Sequence, residues 1–505
     1  MIRKGLSRRW LLLTLTALML TISMAAARFE VLERAAFLTM DVNLPGGKNI
    51  TQYTIDVDLD GVEKILTANE KVIYYNQSDT DFNALYFHIY PNAFKSKDTT
   101  PFDKEEMDLA YPEGFEPGEA QIRAVKIDSE NLNFAIIGVG DSILKVILNK
   151  ALEPGDKVTL DIEFAVKIPP AQGRFGFGEY TVNMGNWYPI LCVFDDKGWH
   201  LEPYYSIGDP FYSESANYRV AVSAPPEYTI ASTGNIVKKE NRDGKVLWTL
   251  EAKAVRDFAM IASEKYSIME DEVDGIKIYS YYIDGEVADM ALEAARDSIK
   301  IFNDTFGKYP YKQFSVAASN FYVGGMEYPN LVYINQAFYQ NDRKDILEYV
   351  IAHEAAHQWW YGVVGNDEVN EAWLDEALTE YSTLLYYEKK YGKEAKDHVY
   401  KNIVVKSYDL YRNDGKNREE RVCRSLKEFK DSSEYQALVY NKGAMFIEDL
   451  RREMGDEVFF QTLKIYFDKY KFKNATTEDF ITVCEQISNK ELRQSFQDWL
   501  MYEKE

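Results

Sequence analysis

The sequence predicts a multidomain α+β protein in which an antiparallel β-sandwich or saddle precedes a mainly helical domain. Three observations predict it. The chain has 505 residues, enough for two or three domains. Residues 48 to about 265 alternate apolar and polar side chains at period two, with Gly, Pro, Asn and Asp in the gaps. From about residue 283 the apolar spacing becomes three-to-four, the period of a helix with one buried face.

The first half reads strand by strand. Thr51 to Asp60 alternates cleanly, and so do Lys71 to Tyr75, Ala84 to Tyr90, Ser142 to Leu148 and Lys157 to Phe164. Many short strands of this kind pack as antiparallel sheets. Phe175 to Tyr212, rich in aromatic residues and glycine, reads as long ordered loops between sheets. Asp284 to Phe306 then has Ala, Leu, Ile and Phe at helical spacing, and Phe314 to Ala318 reads as a strand. Asp345 to Tyr361 and Glu371 to Tyr391 are two further helices, and helical segments continue to the end. The boundary falls near residue 267, which divides the chain into residues 28–267 and 268–505 behind residues 1–27.

The chain is 46% hydrophobic and 14% aromatic, so it can bury a large core. A formal net charge of −23 repels phosphate backbones, which argues against nucleic acid as a partner and suits solubility outside the cytoplasm. The three cysteines, Cys192, Cys423 and Cys484, are far apart and form no Cys-x-x-Cys pair. They read as buried free thiols, with a single Cys423–Cys484 bridge left open. Arg3, Lys4, Arg8 and Arg9 precede an apolar run from Trp10 to Met24 and a small-residue site at Ala25-Ala26-Ala27. This pattern is an export signal, with cleavage favoured and an uncleaved membrane anchor over residues 10–27 as the alternative. The protein is therefore expected to be exported, either secreted or associated with the cell envelope.

Chemistry concentrates at His353-Glu354-Ala355-Ala356-His357. Two histidines four apart lie on one face of a helix, and both imidazoles can meet one ion. Glu376, on the following helix, can close a three-ligand site that leaves one position for water, the arrangement of a catalytic zinc. Glu354 can take a proton from that water. The pentapeptide also occurs on ordinary helices with two surface histidines. Here it takes two of only five histidines, and a second amphipathic helix follows in the right place. Upstream, Gly324-Gly325-Met326-Glu327 can bring backbone close to a ligand and present a carboxylate to an ammonium group. Alone, it reads as a strand-edge turn with an exposed glutamate. Tyr435 and Tyr440 lie about sixty residues beyond Glu376 and, alone, read as packing residues. A phenol near the metal can also donate to an oxyanion. Glu380, one turn past Glu376, can orient a histidine, although a solvated glutamate is the commoner case.

Taken in order, Gly324-Gly-Met-Glu327, His353-Glu-Ala-Ala-His357, Trp373-Leu-Asp-Glu376 and Tyr440-Asn-Lys-Gly443 resemble the gluzincin zinc aminopeptidases of the aminopeptidase N and leukotriene hydrolase family. Lys473 to Phe480 and Asp498-Trp499-Leu500 look like the end of that family's catalytic domain. The resemblance implies a thermolysin-like catalytic domain and one Zn2+ ion held by His353, His357 and Glu376. It implies Glu354 as general base and then proton donor, Tyr440 as oxyanion stabiliser and Tyr435 as a supporting tyrosine. Glu327 would bind the substrate's free α-amine, with Gly324, Gly325 and Met326 lining the substrate strand. The implied activity is hydrolysis of the N-terminal peptide bond of oligopeptides. A thermolysin-like endopeptidase, which has no amine to bind, is the alternative. Tyr328 stands where the family carries Asn after the motif glutamate, so the first specificity pocket is expected to differ. Asp375 replaces the family's Asn before the third ligand, a change expected to have no consequence. The family's second amine-binding residue has no motif in the first domain; Glu179 is a candidate by position only. The long C-terminal helical domain of larger members has no counterpart before Glu505, and a more open cleft is expected.

Overall fold

The computed structural model describes residues 50–104, 106–413 and 419–501. The expected export signal or anchor, residues 1–27, lies outside the described residues. Among the described residues, no helix is long and apolar enough to cross a membrane.

Period-two alternation builds the first region. In Gln52–Asp60, the side chains of Tyr53, Ile55, Val57 and Leu59 enter the core while the residues between them face outward. That strand lies near the middle of an eight-stranded sheet. The order is Asn235–Arg242, Lys245–Val255, Ala216–Ala224, Gln52–Asp60, Ile65–Tyr75, Lys157–Lys167, Glu119–Ile127 and Glu130–Asn131. Neighbours run antiparallel except Gln52–Asp60 and Ala216–Ala224, which are parallel with Ile55 beside Val220. Two four-stranded sheets complete the region, one centred on Phe82–His88 and Ile143–Leu152, the other on Val182–Met184 and Met260–Ser263.

Two expectations for this region change. Tyr90 does not end a strand but opens a tight helical turn, Tyr90–Lys95, because Pro91 has no N–H to offer a ladder. The segment from Phe175 to Tyr212 is not loop alone. It holds the strands Phe175–Phe177, Val182–Met184, Ile190–Leu191, Phe194–Asp195 and Gly198–Trp199, each too short to show a period in sequence. The three cysteines are free, which closes the possibility of a Cys423–Cys484 bridge.

The second region is built on a five-stranded mixed sheet ordered Ser267–Val273, Ile276–Tyr282, Gln313–Ser319, Leu331–Asn335 and Gly325–Met326. The outer pairs are antiparallel and the inner pairs parallel. Gln313–Ser319, with a parallel neighbour on each side, is buried along its whole length. The helix Ala288–Thr305 bridges the parallel strands Ile276–Tyr282 and Gln313–Ser319 and packs against Lys344–Ala356, the helix that carries the histidine motif. This motif helix ends five residues before its expected end. Tyr361 takes φ +100, and the chain doubles back into Val364–Gly365, which pairs with Lys473–Asn474. The ligand helix, Trp373–Tyr391, has Asp375 and Glu376 in its first turn and Lys389 and Lys390 in its last. These charges match the helix dipole, and Gly392 at φ +92 stops the helix.

One buried histidine joins the two regions. His200 Nε2 lies 2.8 Å from Asp195 Oδ2, while Nδ1 faces Glu202 at 3.7 Å and Asp367, between the motif and ligand helices, at 4.0 Å. Burial alone would lower its pKa, but Glu202, Asp195 and Asp367 together raise it to about 9. A histidine raised in this way adds stability that is complete below its unfolded pKa of about 6.5 and lost as pH rises through its folded value. The melting temperature should therefore fall more steeply between pH 6.5 and about 9 in the wild type than in His200→Gln. Parallel pH profiles from thermal unfolding would remove this role for the imidazolium.

Candidate metal centre and active site

The motif and ligand helices bring three side chains to one point. His353 Nε2 and His357 Nε2 lie 3.2 Å apart, and Glu376 Oε2 is 3.5 Å from the first and 3.4 Å from the second. Donor atoms about 2.0–2.1 Å from a tetrahedral zinc stand roughly 3.3–3.4 Å from one another. Glu376 Oε2 is also buried with no hydrogen-bond partner. Two imidazole nitrogens and an orphaned carboxylate oxygen at this spacing fit a zinc ion.

Behind the donors, each outer imidazole nitrogen faces a carboxylate. Asp375 Oδ1 is 2.5 Å from His357 Nδ1, with Thr379 Oγ1 3.1 Å away from the same nitrogen. Glu380 Oε2 is 3.1 Å from His353 Nδ1. Such partners fix the tautomer and orientation of a metal-binding ring. Two expectations are corrected here. Glu380 is not a solvated glutamate: it is only 4% exposed, and it also accepts from Tyr349 Oη on the motif helix. Asp375 is not an inert replacement, since it is fully buried and sits directly on a proposed ligand. A second cluster, Glu327, His357 and Asp375, shares His357, whose Nδ1 Asp375 already occupies. This cluster therefore shares its histidine with the first site and does not make another.

Glu354 projects toward Gly325. A Cβ at Gly325 would overlap the Glu354 carboxylate, so the backbone comes this close to the acid only as glycine. Burial, partly offset by His353 and His357, pushes Glu354 up to about 7. A carboxyl group in that range can both accept and return a proton near neutral pH.

The segment expected as a turn is in fact an edge strand. Gly325 and Met326 pair with Ile334 and Tyr333, and Gly324 and Gly325 line the cleft. Glu327, expected on a turn, is 4% exposed, and its Oε1 has no partner. Burial, and then the charge of Asp209, raises its pKa well above the usual carboxylate range. Asp209 and Arg174 come from the first region, form an ion pair and line the same cleft; Arg174 Nε also donates to Met326 Sδ at 2.9 Å. No sequence motif marks either residue. Glu179 is exposed and does not line the cleft.

Tyr440 Oη donates to Glu376 Oε1, and its ring stacks on His353 with centroids 5.7 Å apart. Tyr435 packs edge-on against Tyr440 and leaves its buried Oη without a partner. The nine residues Gly324, Gly325, Glu327, His353, Glu354, His357, Glu376, Tyr435 and Tyr440 line one cleft of about 360 Å³. Met326 is fully buried behind it.

Residues 290–499 match the peptidase family M1 domain. Aminopeptidase N of Lactococcus lactis subsp. lactis is 22% identical over 398 residues, which are 75% of this chain and 46% of that protein. Aminopeptidase N of Lactobacillus helveticus is 26% identical over 402 residues, again 75% and 46%. The chain thus spans about half the length of the curated relatives it matches. The crystal structure of an M1 zinc metallopeptidase from Deinococcus radiodurans has the same fold, with a TM-score of 0.61 at 17% identity over 90% of this chain and 93% of that one.

Removing a donor should remove the ion. Glu376→Ala is expected to hold no zinc after equilibrium dialysis, and Glu380→Ala to bind it about 10–100-fold more weakly, as when the partner of a ligating histidine is lost. Wild-type affinity in Glu380→Ala would deny that carboxylate a part in holding the ligand ring.

Proposed function

Because the chain carries a peptidase family M1 domain across residues 290–499, we propose that it is a zinc-dependent aminopeptidase that hydrolyses the N-terminal peptide bond of oligopeptides. One ion would be held by His353, His357 and Glu376. Glu327 carries the reading. It is a buried carboxylate with an unpartnered oxygen in the cleft that holds the donor cluster. Burying such a group without a partner is costly, and a substrate ammonium would supply the missing charge and hydrogen bonds. Asp209 adds a second carboxylate and Arg174 one cation, so the three groups carry a net negative charge once Glu327 is ionised, a state that a single ammonium would favour. An endopeptidase has no ammonium there to compensate it.

Zinc, when bound, supplies Lewis acidity that lowers the pKa of a water toward about 7 and polarises the scissile carbonyl. The protein's own groups do the rest. The edge strand Gly325–Met326 offers free backbone groups along which an extended peptide can lie. Glu327 sets the register by holding the amine one residue upstream of the scissile bond. Glu354 takes the proton of the attacking water and delivers it to the departing nitrogen. Tyr440 Oη donates to the oxyanion as the carbonyl carbon becomes tetrahedral, with Tyr435 packed behind it. The basic and apolar residues 3–27 support export as the route by which the enzyme meets peptides.

Peptides with a free amine should be cleaved and their N-acetylated forms spared; equal cleavage of both would favour a thermolysin-like endopeptidase. Glu354→Gln should retain zinc and lose nearly all turnover, and appreciable residual activity in the metal-loaded variant would reject it as the base. Tyr440→Phe should lower kcat by about two to three orders of magnitude, as for loss of one oxyanion donor. An unchanged kcat would reject that role.

A further inference from the structure

We propose that Tyr328, Asn186 and Asp257 form a buried relay through which the first region positions the amine-binding carboxylate of Glu327, an inference that rests on the aminopeptidase reading. Tyr328 follows Glu327 directly and is fully buried. Its Oη donates to Asn186 Oδ1 at 3.0 Å, and Asn186 Nδ2 donates to Asp257 Oδ2 at 2.6 Å. The other Asp257 oxygen accepts from Phe258 N at 2.6 Å and from Tyr188 Oη at 3.3 Å. Asp257 can only accept when ionised, so the Asn186 amide is oriented by its two partners, and its oxygen is turned to the phenol.

The first region is shaped around this hydroxyl. A Cβ at Gly185 would overlap Tyr328 Oη, so glycine there makes the room. Asn186 takes φ +50, a conformation Asn tolerates better than most residues, and this aims its amide at both neighbours. On the opposite side, Gln358, next to the ligand His357, spans the same loop. Its Nε2 donates to the carbonyls of Glu327 at 3.4 Å and Tyr328 at 3.3 Å, and its Oε1 accepts from Asn330 N at 2.7 Å. The loop is thus pinned between the motif helix and the first region. Glu327 Oε1 has no hydrogen bond of its own, so its placement comes from the backbone that Tyr328 and Gln358 hold. Small misplacements of a binding group are expensive in rate and affinity.

Asp257 has a neighbour with a parallel task. Arg256 is 2% exposed; its Nε donates to Tyr361 O at 2.8 Å and its Nη2 to Lys473 O at 3.0 Å. One dipeptide of the first region therefore holds the exit of the motif helix through Arg256 and the amine-binding loop through Asp257. Tyr328, Asn186 and Asp257 are positioning residues; none lines the cleft.

Tyr328→Phe keeps the ring in the core and removes the hydroxyl. For a free-amine peptide, KM should rise about 10-fold while kcat changes by less than about twofold, the size of one buried hydrogen bond acting on binding alone. Preference for free over N-acetylated peptide should fall by the same factor. Asn186→Ala should give the same KM shift, and if that variant fails to fold, Tyr328→Phe decides alone. Added to Glu327→Gln, Tyr328→Phe should have no further effect, because the relay acts through Glu327. An unchanged KM, or a full second loss in the Glu327→Gln background, overturns the relay. A wild type indifferent to N-acetylation overturns the aminopeptidase reading instead.

Discussion

The constraint on which the rest depends is that two imidazoles and a carboxylate must stand within about 3.5 Å of one another. Buried polar groups crowded in this way are costly unless something of opposite charge joins them. Around them the structure collects further acids: Glu354, Asp375, Glu380, Glu327 and Asp209, against Arg174 as the cation of the cleft wall. Under the proposed function, this collection of acids is the electrostatic counterpart of two cations, a divalent ion and a substrate ammonium. Binding of a metal ion there would be linked to the stability of the folded chain, because the unfolded chain has no such cluster to relieve.

Convergence at this point needs both helices to arrive at fixed positions, and much of the second region serves that end. The ligand helix is tied at its start, where Trp373 Nε1 donates to Thr477 Oγ1 at 3.0 Å and Thr477 N donates to Glu371 Oε1 at 3.0 Å. Thr477 begins a helix closed by a reciprocal cap between Thr476 and Asp479. The distant segment from Lys473 to Phe480 thus acts on the third donor by fixing the turn that precedes Glu376. The motif helix is held at its other end by Arg256, which the first region supplies across the boundary. The β-rich region is therefore part of the site's scaffold, and it also forms one wall of the cleft.

How much of this was legible in the sequence follows from how local each feature is. His353, Glu354 and His357 could be read because four residues of helix put the two rings on one face whatever surrounds them. Strands such as Gln52–Asp60 could be read because one face is buried along their whole length. Glu380 was misjudged because the same helical spacing fits a surface or a buried acid, and only the packing of Tyr349 from the other helix decides. Asp209 and Arg174 were invisible because they reach Glu327 and Met326 from more than a hundred residues away with no motif of their own. The end of the motif helix was missed because Tyr361 adopts a backbone conformation unusual for its residue type, held by contacts distant in sequence.

The placement of Tyr440 shows the same limit and adds a consequence. Residues Gln436–Lys442 wind as a π-helix, whose wider turns insert an extra residue and rotate everything beyond it. A regular α-helix continuing from Tyr435 would present a different face at position 440. The π-turn brings the phenol across to Glu376, where Oη meets one carboxylate oxygen while the other oxygen faces the two imidazoles. The proposed oxyanion donor and the proposed third ligand therefore hold each other in place through the two ends of a single carboxylate. In the proposed reaction, a carbonyl oxygen that drew Tyr440 away would leave Glu376 Oε1 without this hydrogen bond, so the phenol's two contacts compete for one proton.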